Sequence, residues 1–309
     1  MNVRTEGTGL NAAQIEAAET GLTAMGAPEV TIFITDNFVD EVRDLTGDST
    51  YRVERGAGVV AAKLIQLTDG PVIVINAPEI GNRGNDAIER LFAHEAGHVL
   101  LGNRGEDARG IRAFAGDTDW RQLMLYTGAF AIEELRVERA LAQLGYGESE
   151  ACSVATLNES MLTLNYEIMK ALRDPQSSDP GILSESVART QDWLSKYLAY
   201  LFAYYPAGPQ LRQASRFARA NWNDYLAGHW NQRAAAYAEL PSAREAMSAA
   251  DFEAMLTTGF DLETGLLEAL GFRYTDGTNG GFGFWRSAST DLCNRRFRRA
   301  QEELNNPAA

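Results

Sequence analysis

Near residue 118 the apolar residues of this chain change their spacing, and that change constrains the fold more than any other feature of the sequence. Before it, short β-branched runs alternate with helical patterns. After it come long amphipathic stretches, at roughly 119–145, 150–172, 183–203, 210–228 and 242–257, with almost no β-branched alternation. The expected class is therefore α+β: a small mixed sheet with its helices over residues 1–118, then a mainly α-helical half over 119–309. A length of 309 residues suits one large domain or two modest ones, and 45% hydrophobic with 23% charged residues is the balance of a globular chain that buries a core.

Within the first part, residues 12–25 carry helical spacing behind a candidate cap at Asn11, with Gly26 and Pro28 as the stop, so a helix is expected as the first element. The run 30–35 (VTIFIT) reads as a strand, and 59–67 and 72–76 read as two more, joined through Asp69-Gly70 by a tight turn. A short helix is expected over 36–45, and the polar stretch 47–58 carries no assignable signal. In the second half, loops fall at 174–181, 206–209 and 276–283. Gly277, Gly280, Gly281 and Gly283 match neither a P-loop nor a dinucleotide fingerprint, so the last of these reads as a flexible turn.

With 42 acidic against 28 basic residues the net charge is −14, which repels phosphate backbones and anionic membranes. Arg295, Arg296, Arg298 and Arg299 form a basic cluster, but Glu302 and Glu303 follow it and an acidic protein can absorb such a cluster internally; no nucleic-acid partner is expected. Cys152 and Cys293 lack the paired spacing of a thiolate zinc site and are expected as reduced thiols. No signal-peptide pattern opens the chain, and its most apolar stretch, 197–205, is too short to span a bilayer, so a cytoplasmic protein without a membrane partner is expected. Trp193, Tyr197, Tyr200, Phe202, Tyr204 and Tyr205 are expected to fill the helical core, some of them lining a cleft.

One segment carries chemistry. His94-Glu95-Ala96-Gly97-His98 lies inside 85–101, a stretch with helical spacing, a D-x-x-E cap signal at Asp86 and Glu89, and a terminating glycine at Gly102. Residues four apart share a helix face, so both imidazoles reach one tetrahedral Zn²⁺, while Glu95 projects beside them toward a metal-bound water. Ile88, Phe92, Ala96 and Val99 recur on the opposite side as a face to bury, and Gly97 leaves room for close packing. With 3 histidines and 42 acids in 309 residues, the H-acid-x-x-H pattern is expected by chance only roughly 0.004 times, which favours a metal site over coincidence.

A catalytic zinc takes three protein ligands and leaves a position open. The next helical stretch offers Glu133, Glu134 and Glu138; Glu134 is the preferred third ligand and Glu138, four residues on, is placed to orient a ligating histidine. Glu133 and Glu138 remain alternative ligands, and a solvated acidic face paired with Arg136 and Arg139 is the bland reading.

On His94, Glu95, His98 and the E-x-x-x-E pair Glu134 and Glu138, residues 1–145 resemble the zincin metallopeptidases, in particular the gluzincin type, and the local pattern is loosely similar to the ImmA/IrrE group. Two features depart from those patterns: the gap from His98 to Glu134 is long, and Gly102-Asn103 does not extend into a metzincin motif. The resemblance implies peptide hydrolysis through a Glu95-activated, zinc-bound water, with the peptide or protein substrate extended along an edge strand, for which 72–76 is the candidate. It also implies a downstream histidine or tyrosine as donor to the oxyanion. His229 is the remaining histidine and the catalytic candidate for that role, a cap or packing residue being its other reading, and Tyr126 is a comparable outsider. The helical half would supply the third ligand and a cleft wall. The competing class is a non-catalytic structural, assembly or regulatory binding protein, phage-related for example, built on a zincin-like fold.

Overall fold

The computed structural model describes residues 2–27, 29–55, 58–108, 119–277 and 281–306. The chain forms two compact units: Met1–Asp107, Val137–Gly147 and Pro241–Ala246 make the first, and Ala108–Arg136, Glu148–Leu240 and Met247–Ala309 the second. The boundary expected at residue 118, and Pro28 as a helix stop, fall outside the described residues.

The first unit runs β1 (Asn2–Glu6), α1 (Ala12–Ala24), β2 (Thr31–Thr35), α2 (Phe38–Thr46), the short pair β3 (Glu54–Arg55) and β4 (Gly58–Val59), β5 (Ala62–Leu67), β6 (Gly70–Asn76), α3 (Ala77–Ile80) and α4 (Asn85–Asn103). One sheet of order β1-β2-β6-β5 organises it; β1, β2 and β6 are parallel and β5 is antiparallel to β6. Period-two alternation sorts the side chains. Ile32, Ile34, Ile73 and Ile75 join Leu22 of α1 and Ile88 and Phe92 of α4 in one core, while Phe33 and Val74 join Phe38 and Val42 of α2 in another. The sheet is therefore covered by helices on both faces, which is why its two inner strands carry the unbroken apolar runs 32–34 and 71–75.

The cap of α1 is the expected Asn11, completed into a capping box by Gln14: each side chain accepts from the other's backbone N–H at 3.0 Å. Three expectations need correction, and one unassigned stretch gains an element. The first element is β1, not a helix; Asn2–Glu6 is exposed at every position and owes its strand to pairing with β2, so no apolar pattern announces it. The unassigned stretch 47–58 holds part of the small β3–β4 ladder. The segment 72–76 is not an edge: β6 pairs with β2 on one side and β5 on the other, its backbone groups are used, and the sheet ends instead at β1 and β5. Helix α4 starts behind Gly84 without a side-chain cap, Glu89 accepting instead from the Tyr146 hydroxyl at 2.9 Å, and it runs through Gly102 to Asn103.

The second unit is built from α5 (Asp119–Gln143, its last turns from Val137 counting with the first unit), α6 (Val154–Arg173), α7 (Pro180–Tyr204), α8 (Arg216–Tyr225), α9 (Ala227–Ala238), α10 (Ala249–Leu270), the hairpin β7 (Phe272–Asp276) and β8 (Phe282–Arg286), and α11 (Thr290–Asn305). Its core collects Met161, Leu164, Leu194, Leu198, Trp222 and Leu266. The stretch 210–228 is not one helix. Ser215 caps α8, the backbone breaks at Leu226, and α9 begins before His229. Helix α10 continues to Leu270, where Gly271 at φ +102° turns the chain into a hairpin that the sequence did not announce. The central residues of the glycine-rich turn, 278–280, lie outside the described residues. Among the described residues no helix is long and apolar enough to cross a membrane.

Candidate metal centre

Helix α4 carries the motif on a segment buried from Phe92 to Gly97, so His94 and Glu95 are held in protein and His98 is partly exposed. Ile88, Phe92, Ala96 and Val99 all point into the core, as their spacing requires. Gly97 sets the distance to the next helix: a Cβ there would stand 2.8 Å from Val137 Cγ1 and 3.1 Å from Met25 Cε. Without that atom α5 approaches α4, and Glu138, one residue beyond Val137, reaches His94.

That contact places His94 Nδ1 2.8 Å from Glu138 Oε1, and Glu138 is fully buried. A carboxylate there accepts Nδ1–H, which puts the Nε2 lone pair of His94 on the side that faces His98. The second oxygen of Glu138 accepts from the Arg90 guanidinium, and Arg90 Nε also donates to the Gly147 carbonyl at 3.0 Å. Arg90 lies four residues before His94, so one face of α4 presents both groups to the same carboxylate.

His98 Nε2 faces His94 Nε2 at 3.1 Å, the rings edge to face. Two imidazole nitrogens brought this close need a proton or a cation between their lone pairs, and two nitrogens on one tetrahedral Zn²⁺ stand roughly 3.3 Å apart. Glu134, one turn before Glu138 on α5, completes the group: one ligand atom each from His94, His98 and Glu134 lies within 4.8 Å of the others. Glu134 is itself held from the far side, since its Oε2 accepts from the Tyr200 hydroxyl of α7 at 3.0 Å. Two imidazoles and a carboxylate form a donor set that suits zinc, and the spacing suits a single ion.

Of the other glutamates considered, Glu138 orients His94 and Glu133 is buried, with Oε2 accepting from the Ala108 N–H at 3.3 Å. Glu95 is buried at 6% exposure beside His94. His229 lies in a different environment, a buried network in the second unit, where its Nε2 accepts from Arg233 Nε at 3.1 Å. Burial, with the Arg233 charge beside it, pushes its pKa down to about 3 and keeps the ring neutral. Tyr126 stacks on Phe130.

Two residues around the centre escaped the sequence. The signal for Arg90 is present in its i,i+4 relation to His94; Tyr200 carries only the signal of a core aromatic, and nothing local joins it to a glutamate 66 positions away. Replacing Glu138 by Ala is expected to weaken zinc binding about 10- to 100-fold in a chelator competition, and Arg90→Ala should act in the same direction with a smaller factor. Unchanged affinity in Glu138→Ala would mean that other contacts fix His94.

Comparison of the chain with protein-family models, with curated proteins and with solved structures finds no match.

Proposed function

We propose that this protein is a zinc-dependent metallopeptidase of the zincin type, with His94, His98 and Glu134 as ligands, Glu138 orienting His94, and Glu95 as the general base. One observation carries the reading: the His94–His98–Glu134 group combines two facing imidazole nitrogens with a carboxylate, and Glu138 on His94 Nδ1 sets the tautomer a metal ligand needs. Such outer support is what separates a centre built to bind from a chance cluster.

A zinc ion held there by His94, His98 and Glu134 would supply Lewis-acid polarisation of the scissile carbonyl and acidify the attacking water. The chain's own residues do the rest. Glu95, adjacent to His94 on a rigid buried helix, takes a proton from the water and delivers it to the departing amine nitrogen. Tyr200 and Arg90 act at one remove by holding Glu134 and Glu138. His229 is left out of this scheme because its acceptor nitrogen is engaged by Arg233 in a buried network. An extended peptide would add to the outer edge of β5, where the sheet ends, and not to the interior strand β6.

The test is elemental analysis of protein purified without added metal, followed by cleavage of a peptide library. Near one zinc per chain, lost in His94→Ala, is expected. Glu134→Ala should strongly reduce bound zinc while Glu133→Ala retains it, and the reverse result would move the ligand by one residue. Zinc without cleavage of any peptide would favour the structural or regulatory class instead.

A further inference from the structure

The four arginines near the C-terminus separate into two kinds. Arg296 is buried and donates to the backbone carbonyls of Leu270, Asp224 and Ala269, tying α11 to the end of α10 and the end of α8. Arg299 donates to Asn221 and pairs with Asp224. Those two are absorbed by the fold. Arg295 and Arg298 are not: both are exposed, and neither has an ion pair among the described residues. Helical partners are available to each, Asp291 four residues before Arg295 and Glu302 four residues after Arg298, yet neither pair forms.

These two side chains share a groove of about 330 Å³ lined by Arg216 and Phe217 of α8 and by Arg295, Arg298, Arg299 and Glu302 of α11. Arg216 is also exposed and without an ion pair, its guanidinium resting over the Phe217 ring at 4.5 Å. It occupies the first position of α8, behind the Ser215 cap, so the positive end of that helix adds to the charge of the three side chains. A chain of net charge −14 thus concentrates three uncompensated guanidinium groups around one depression.

We propose that this groove is a binding site for a compact oxyanion of the phosphate type, either inorganic phosphate or pyrophosphate. Guanidinium forks match phosphate oxygens in bidentate geometry, and two or three of them around one group bind a dianion that a single exposed arginine does not hold. The global charge selects for size. Fields are screened over about 8 Å at physiological ionic strength, so a compact dianion feels chiefly the local arginines, whereas an extended polyanion also meets the net charge of −14, which repels it. Glu302, also in the lining, works against the ligand and limits how far it extends along α11. The proposal stands independently of the metal centre.

The experiment is calorimetric titration of the whole chain with inorganic phosphate and with pyrophosphate, in chloride buffer of matched ionic strength. A short single-stranded oligonucleotide is titrated in a parallel arm. The variants are Arg295→Gln with Arg298→Gln together, and Arg212→Gln as an exposed arginine outside the groove lining. Saturable binding of one phosphate or pyrophosphate per chain is expected, weakened at least about tenfold in the double variant and unchanged in Arg212→Gln. Thermal melts should be the same in all three proteins, because the substituted side chains are exposed and unpaired. Absence of saturable binding, or equal affinity in the double variant, overturns the site. Oligonucleotide binding tighter than pyrophosphate and lost in the same double variant overturns the compact ligand and gives the groove to nucleic acid.

Discussion

On the proposed function, replacing Glu95 by Gln is expected to lower peptide hydrolysis by about 10²–10⁴-fold while zinc stays bound at its full stoichiometry. The separation of the two effects follows from position. Glu95 lies between the histidines in sequence but is not one of the three residues, His94, His98 and Glu134, that could hold a metal ion together. Gln keeps the volume of the buried side chain and one acceptor oxygen, so α4 and its histidines are expected to stay in place, but an amide does not accept a proton. Activity measured on the peptide found by the library screen, alongside zinc content of the same preparation, checks both halves. Retained hydrolysis would remove Glu95 as the base. Lost zinc would show that the residue holds the centre together and does not only serve its chemistry.

The second large effect is expected far from any reaction, at Glu263 of α10. Its carboxylate and the Arg233 guanidinium of α9 are both fully buried, 2.7 Å apart. Glu263 also accepts from Gln191 Nε2 at 2.8 Å and from the Ser195 hydroxyl, and Arg233 donates to Tyr237 at 2.6 Å and to His229. Every polar group of the pair is thus matched inside the helical unit. Glu263→Ala leaves a buried guanidinium with no counter-charge and should cost about 3–5 kcal/mol in urea unfolding. Removing both charges together, as Arg233→Met with Glu263→Leu, should recover most of that loss, since two apolar side chains of similar size leave no charge unpaired. A double variant as unstable as Glu263→Ala would show that the pair holds the helices in a way apolar packing does not replace.

The sequence and the fold agree most closely where the governing interaction is local. Asn11 and Gln14 cap α1 from three residues apart, and the apolar face of α4 is spaced by helical geometry alone. The alternation in 30–35 and 72–76 marks strands because successive side chains enter opposite cores. Agreement fails where one segment depends on another. β1 has no apolar pattern of its own and exists as a strand by pairing with β2. The choice of 72–76 as an edge failed for the same reason, because a strand's neighbours are set by topology and the central position of β6 leaves no mark on a single strand. The basic cluster was legible as a cluster; which of its arginines turn inward depended on where the carbonyls of α8 and α10 end.

By itself the sequence determined an α+β chain with a helical second half, and a helix that presents His94 and His98 on one face with Glu95 between them, because residues four apart on a helix are neighbours whatever the rest of the chain does. Only the tertiary structure decided that Glu134 joins the two histidines while Glu138, 44 positions beyond His94, fixes its ring, that Arg90 and Tyr200 brace them, and that His229 is held by Arg233. Those contacts rest on how closely α5 packs against α4, which the missing side chain of Gly97 permits, and on helices whose approach no local pattern encodes.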